Sequence, residues 1–281
     1  MTEQQILQAA VDYVQNNPGN TIPAEKALRP EIAGIKLFDA PIMGVASAMN
    51  QFLLGLPGNP DVNVPLSPPQ FWLESAASII SLFFPLTAQV RESNRKTAWD
   101  VPSHEIIHAR NEGAVFINQT MEHLKGILEA AGYSAVIPSA DPRFWSAFEN
   151  PVNGYTFTSN WSERHVAFAA GLGTFSLHRG IITRLGTAGR LASIITSLEL
   201  PPTHRPYTDL YEYCAQCGVC VETCPAGAIT VEGGKNNAVC REFLKGIGEI
   251  YKEQKYFHSC GKCQVAVPCE SELPLEYLAN L

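Results

Sequence analysis

Cysteine is the residue type best suited to chemistry in this chain, and all eight lie in the last quarter: Cys214, Cys217, Cys220, Cys224, Cys240, Cys260, Cys263 and Cys269. Disulfides that staple a secreted fold would be spread along the chain, and 281 residues can bury enough apolar surface to need none. The crowding reads as metal ligation by thiolates in a reducing compartment. The run Cys214-x2-Cys217-x2-Cys220-x3-Cys224-Pro225 has the spacing of bacterial ferredoxins. In that spacing three close thiolates wrap one iron–sulfur cubane, while the fourth, set off by proline, reaches a second. Cys240, Cys260, Cys263 and Cys269 complete a set of eight thiolates, which is what two [4Fe–4S] clusters require. The expected division is Cys214, Cys217, Cys220 and Cys269 for one cluster and Cys224, Cys240, Cys260 and Cys263 for the other. Cys-x2-Cys pairs also build zinc knots, but the triple run followed by Cys-Pro suits zinc poorly.

Clusters carry electrons, and a reduction also needs a proton source and groups that orient a substrate. Residues 155–165 supply Tyr155, Ser159, Asn160, Glu163, Arg164 and His165, of which Tyr155, Asn160 and Arg164 are the candidates for catalysis. Asn160 and Glu163 also have the spacing of a helix N-cap and its third helical residue. Arg164 suits a structural ion pair or a cofactor's carboxamide or phosphate. His104 and His108 share one helix face without a Glu-x-x-His partner, which reads as a solvated or satisfied pair. Residues 91–96 and Arg143 read as surface charge.

Elements must position these groups. An amphipathic helix is expected over 2–15, a strand over 35–46, a Pro/Gly/Asn-rich loop over 55–69 and a strand buried on both faces over 78–86. A long helix follows over 102–131, with Pro102 early in it and Gly113 as a point of interruption. A short helix is expected from Asn160 to the Gly171-Leu172-Gly173 turn, then paired strands over 181–185 and 191–200. Pro201-Pro202 and Pro206 form a linker. The expected organisation is a mixed α/β sandwich domain over 1–203 and a small cluster domain over 204–281.

Composition bounds the partners. A net charge of −7 with no basic tail argues against nonspecific nucleic-acid binding. No run of about 18 apolar residues is present, and residues 1–18 lack the basic start and apolar centre of a signal peptide. A cytoplasmic protein is expected.

The order of ferredoxin run, isolated Cys240 and Cys260-x2-Cys263-Gln264 resembles the epoxyqueuosine reductase and reductive dehalogenase superfamily. The resemblance extends upstream through Glu163-Arg164, Ala170-Gly171-Leu172-Gly173 and the segment 181–201. It implies a nitroreductase-like N-terminal domain holding cobalamin, followed by a bacterial-ferredoxin-like 2[4Fe–4S] domain. It further implies that Gly171, Leu172, Gly173 and residues to His178 border the corrin; by themselves the glycines also read as a helix stop with a tight return. The histidine-ligand pattern Asp-x-His-x-x-Gly is absent, so any cobalamin is expected without that ligand. Two departures stand out. The family's last ligand position is Val267 here, with Cys269 beyond Pro268, and the family's proton-donating aspartate is replaced by Phe157. The tRNA-binding extension common in epoxyqueuosine reductases is also missing before Leu281, so a substrate other than tRNA is expected. The resulting expectation is a reductase that takes electrons from a ferredoxin or flavodoxin and passes them to a cofactor and a small-molecule substrate. A noncatalytic electron carrier and a flavin-dependent reductase are the alternatives.

Overall fold

The computed structural model describes residues 1–57, 66–147, 157–256 and 259–279. Tyr155 and most of the predicted loop at 55–69 therefore lie outside the described residues. The first helix, α1 (Glu3–Asn16), starts at a capping box in which Thr2 and Gln5 each satisfy the other's backbone N–H. Strand β1 (Ile42–Ser47), short helices α2 (Gln51–Gly55) and α3 (Pro69–Trp72), and strand β2 (Ser78–Pro85) follow. Next come α4 (Ala88–Lys96), α5 (His104–Ala130), β3 (Ala135–Val136), the small pair β4 (Ser146–Ala147) and β5 (Thr158–Ser159), and α6 (Glu163–Ala169). Strands β6 (Gly173–Phe175), β7 (Ile181–Thr183) and β8 (Gly189–Thr196) close the large part of the molecule.

An antiparallel sheet in the order β1-β2-β8-β3 forms the centre. Because side chains alternate across a strand, register decides which layer each residue joins. Ile80 lies opposite Val45 and Ile194, and these three face a core shared with α1 and α5. Ile79 lies opposite Ala46 and Ile195, and these face α6 together with Trp72 and Trp161. Every residue of β2 is buried, as its continuous apolar run requires of a strand covered on both sides.

The expected pairing of 181–185 with 191–200 is not what forms. A central strand needs a partner on each edge, and β8 finds them in β2 and β3, leaving β7 to pair with β6. Gly186, at φ 73°, redirects the chain between them. The long helix begins later than expected, at Ser103, whose hydroxyl accepts the Ile106 N–H at 3.2 Å, so Pro102 precedes the cap. Gly113 does not interrupt it; a Cβ there would lie 2.8 Å from the Phe38 ring, so glycine permits a close approach. Asn160 does not cap α6. Ser162 holds the N-cap position, and Asn160 instead accepts the Trp145 N–H at 2.9 Å and donates to the Arg143 carbonyl at 2.9 Å.

Candidate functional site

Left-handed residues curl the ferredoxin run. Gln216 (φ 49°) and Gly218 (φ 78°) turn the chain between Cys214 and the short helix α7 (Val219–Glu222), which carries buried Cys220. Cys224 follows, its sulfur accepting the Ala228 N–H at 3.3 Å. A small hairpin of β9 (Ile229–Thr230) and β10 (Gly234–Lys235) leads to α8 (Asn237–Ile250), which bears Cys240 in its first turn behind the N-cap Asn236. Cys260 and Cys263 flank Gly261, at φ 68°. Between them, buried Lys262 donates to the carbonyls of Asn94 at 2.6 Å and Thr97 at 3.1 Å. The last loop turns at Ala266, φ 54°, where the Glu270 carboxylate accepts the Ala266 N–H at 2.8 Å. Thr187 N–H then binds the Cys269 carbonyl at 2.8 Å, and this backbone brings the displaced cysteine beside the others.

Cys214, Cys217, Cys220 and Cys269 line one narrow cavity. Cys224, Cys240, Cys260 and Cys263 line a second, of about 370 Å³. Burial pushes the Cys269 thiol up to about 12, with Cys214, Cys220 and Cys217 adding to the shift. Burial likewise raises Cys260 to about 12, and there Cys263, Cys240 and Cys224 add. Such grouped thiols cannot ionise together without a cation to share, which is what iron–sulfur ligation provides. Among the described residues no three His, Cys, Asp or Glu side chains converge on a single ion. Cys220 also feels Cys263 of the other quartet, so the two quartets adjoin. His178 lines both cavities. Its Nδ1 accepts the Gly180 N–H at 3.2 Å, and its buried Nε2 has no partner among the described residues.

Beyond the second quartet the cavity continues against the sheet. Arg110 of α5, Glu163 and Arg164 of α6, Arg190 of β8 and Phe83 of β2 form its far wall. Arg164 lies deep in the molecule yet is accessible, because the surface it exposes is cavity wall. Burial lowers its pKa, and the thiols of Cys263 and Cys240 work against that. Arg190 is pushed down to about 10, first by burial and then by Arg110 and Arg164. Glu163 is pushed up to about 7 by burial; Ser193 pulls the other way without making a hydrogen bond to it.

Of the residues expected upstream, Arg164 and His178 reach this cavity and Asn160 does not. Gly171 stops α6 at φ 78°, and a Cβ there would lie 3.1 Å from the His204 carbonyl oxygen. A Cβ on Gly173 would lie 1.9 Å from the Ile182 carbonyl oxygen, and Leu172 packs in the core beside Ile42 and Phe83. That turn thus presents its glycines to protein and does not fit the border of a corrin. Arg190 and Lys235 join this wall without having stood out in the sequence, and Arg110, on the long helix beside His108, had no role there; a charge opening the apolar strand 189–196 was the one visible signal of Arg190. His104 and His108 diverge, His104 to the Tyr251 ring and His108 to Glu112 at 2.8 Å. Arg143 clamps Asp141 and the carbonyls of Phe71 and Trp72.

Comparison with known proteins supports a 4Fe–4S reading of the ferredoxin run. The 4Fe-4S binding domain family matches residues 207–230. A trichloroethene reductive dehalogenase of Dehalococcoides mccartyi is 26% identical over 179 residues, covering 53% of this chain and 31% of the relative. An epoxyqueuosine reductase of Listeria monocytogenes is 31% identical over 118 residues, covering 40% of this chain and 30% of the relative. The matched stretches therefore span about a third of those relatives' lengths. In fold, a crystal structure of epoxyqueuosine reductase superposes with a TM-score of 0.53 at 18% identity, covering 95% of this chain and 66% of that one. The catabolic reductive dehalogenase NpRdhA superposes with a TM-score of 0.51 at 15% identity, covering 98% and 37%. In its mixed α/β fold and its 4Fe–4S motif, the chain is similar to the epoxyqueuosine reductases and reductive dehalogenases.

Proposed function

We propose that the chain is an iron–sulfur reductase with two [4Fe–4S] clusters in series, reducing a small molecule bound between the second cluster and the central sheet. The observation that carries this reading is the sorting of eight cysteines into two adjoining quartets, the second of which opens onto a cavity walled by the large domain. The exposure of Cys217 supports electron entry at the first quartet, and a ferredoxin- or flavodoxin-type protein is the proposed donor. Glu163, half-protonated near neutral pH, is the proposed proton source for the reduction. A simple carrier has no use for a basic cavity behind its clusters, which favours an enzyme over that alternative.

Cobalamin is the organic cofactor that the relationship to these reductases favours, and flavin is the alternative on a related fold. The Gly171-Leu172-Gly173 turn, packed against protein, gives cobalamin no support. Counting iron and acid-labile sulfide after anaerobic reconstitution tests the central claim: about eight of each are expected, and about four would remove one cluster. Cys269→Ser is expected to cost the first cluster alone; an unchanged count would break the assignment of that cysteine. An anaerobic absorption spectrum reads the rest, with corrin bands supporting cobalamin and flavin bands replacing it.

A further inference from the structure

Arg110, Arg164 and Arg190 line the cavity wall that the second quartet opens onto. A cubane with four thiolates is anionic and shares that cavity, where Cys263 and Cys240 act on Arg164, and Lys235 on Cys263. Burial and the two neighbouring arginines oppose the charge on Arg190. Its Nε is buried without a hydrogen bond among the described residues, and no carboxylate there pairs with it. Glu163, on the same wall, is shifted toward its neutral form by burial, and neither of its carboxylate oxygens makes a hydrogen bond among the described residues. A guanidinium held this way costs several kcal/mol unless an anion completes the site. Its five donors in a planar fork suit a carboxylate or phosphate bidentately.

We infer that this cavity binds a small anionic substrate, carrying a carboxylate or phosphate group, with Arg190 as its principal anchor and Arg110 and Arg164 beside it. The anchor holds the charged end of the molecule against the sheet, so that its reducible part lies toward the second cysteine quartet. This rests on the proposed function for the identity of the ligand as substrate, and the anion site itself is tested without turnover.

The test is isothermal titration of the anaerobically reconstituted full chain with inorganic phosphate and, separately, with benzoate. At least one is expected to bind with one-to-one stoichiometry. Arg190→Gln is expected to weaken that binding tenfold or more, Arg190→Lys to weaken it less, and Arg184→Gln, at an exposed arginine on the β7–β8 turn, to leave it unchanged. The anion is also expected to perturb the electron paramagnetic resonance signal of the reduced wild-type protein and not that of Arg190→Gln. No binding by either anion, or equal binding to wild type and Arg190→Gln, overturns the inference. Iron counting on the same samples separates the two failures: about eight irons without anion binding sinks the anchor alone, and about four irons with Arg190-dependent binding sinks the two-cluster reading alone.

Discussion

Glu163 and His178 are buried titratable groups with opposite consequences. Glu163 stays protonated in the fold up to about pH 7, against a usual value of 4.5, so the unfolded chain loses this proton first as pH rises. Stability is therefore lost between about pH 4.5 and 7 and stays reduced above that window, by on the order of 3 kcal/mol. Burial depresses His165 to about 4 and His178 to about 3, so their contribution grows as pH rises toward 6.5 and partly hides the effect of Glu163. The difference between wild type and Glu163→Gln isolates it. Thermal unfolding of the two proteins is expected to coincide near pH 4 and to favour Glu163→Gln at pH 8. His178 is tested electrochemically. Since Nδ1 accepts the Gly180 N–H, the proton resides on Nε2, a donor set between two thiol quartets. Hydrogen bonds to cluster sulfur favour the reduced state. Replacing His178 by Phe is expected to lower one midpoint potential by about 40 mV, the one-electron equivalent of a hydrogen bond of about 1 kcal/mol. Unchanged potentials in a redox titration would remove His178 from the electron path.

At the scale of elements, close approach explains what periodicity misses. Gly113 reads as a weak point in a helix because glycine costs about 1 kcal/mol there relative to alanine. In the fold it seats the Phe38 ring, which is fully buried, stacked on Phe116 and edge-on to Phe84. Gly113→Ala gains helix propensity and forces that ring out of place, at a cost of about 1–3 kcal/mol. The net expectation is destabilisation by about 1 kcal/mol, read as a lower urea midpoint at unchanged slope under argon. Legibility follows the same division. The ferredoxin run was legible because its ligand spacing is a local property of the chain. Strand β2 and helix α5 were legible because their apolar patterns are long. The partners of β8, the true N-cap of α6 and the basic wall were not, because each is decided by residues far apart in sequence. Arg110, Arg164 and Arg190 come from two helices and a strand, and only the layering of those elements brings them to one cavity.

Across the whole molecule, the cluster segment and the large domain share contacts at the ligands themselves. Asn94, fully buried near the end of α4, donates to the Cys260 carbonyl at 3.0 Å and accepts the Ser103 N–H at 3.0 Å. One side chain therefore joins α4, the N-cap residue of α5 and a ligand of the second quartet, while Lys262 reaches the carbonyls of Asn94 and Thr97 from the other side. Asn94→Ala leaves the buried Ser103 N–H unpaired, at a cost of about 1–3 kcal/mol, and the half-buried Cys260 carbonyl without its donor. Because the cut falls beside Cys260, the loss is expected first in the second cluster. Thermal stability of the reconstituted protein should drop, and iron should leave that cluster sooner under a chelator, with the first cluster retained. Lys96→Ala is the control: on the same helix, Lys96 makes only an exposed pair with Glu92, and its removal should change neither readout. Equal loss of iron from both clusters in Asn94→Ala would mean that the segment is released as one body and that Asn94 does not serve the second cluster in particular.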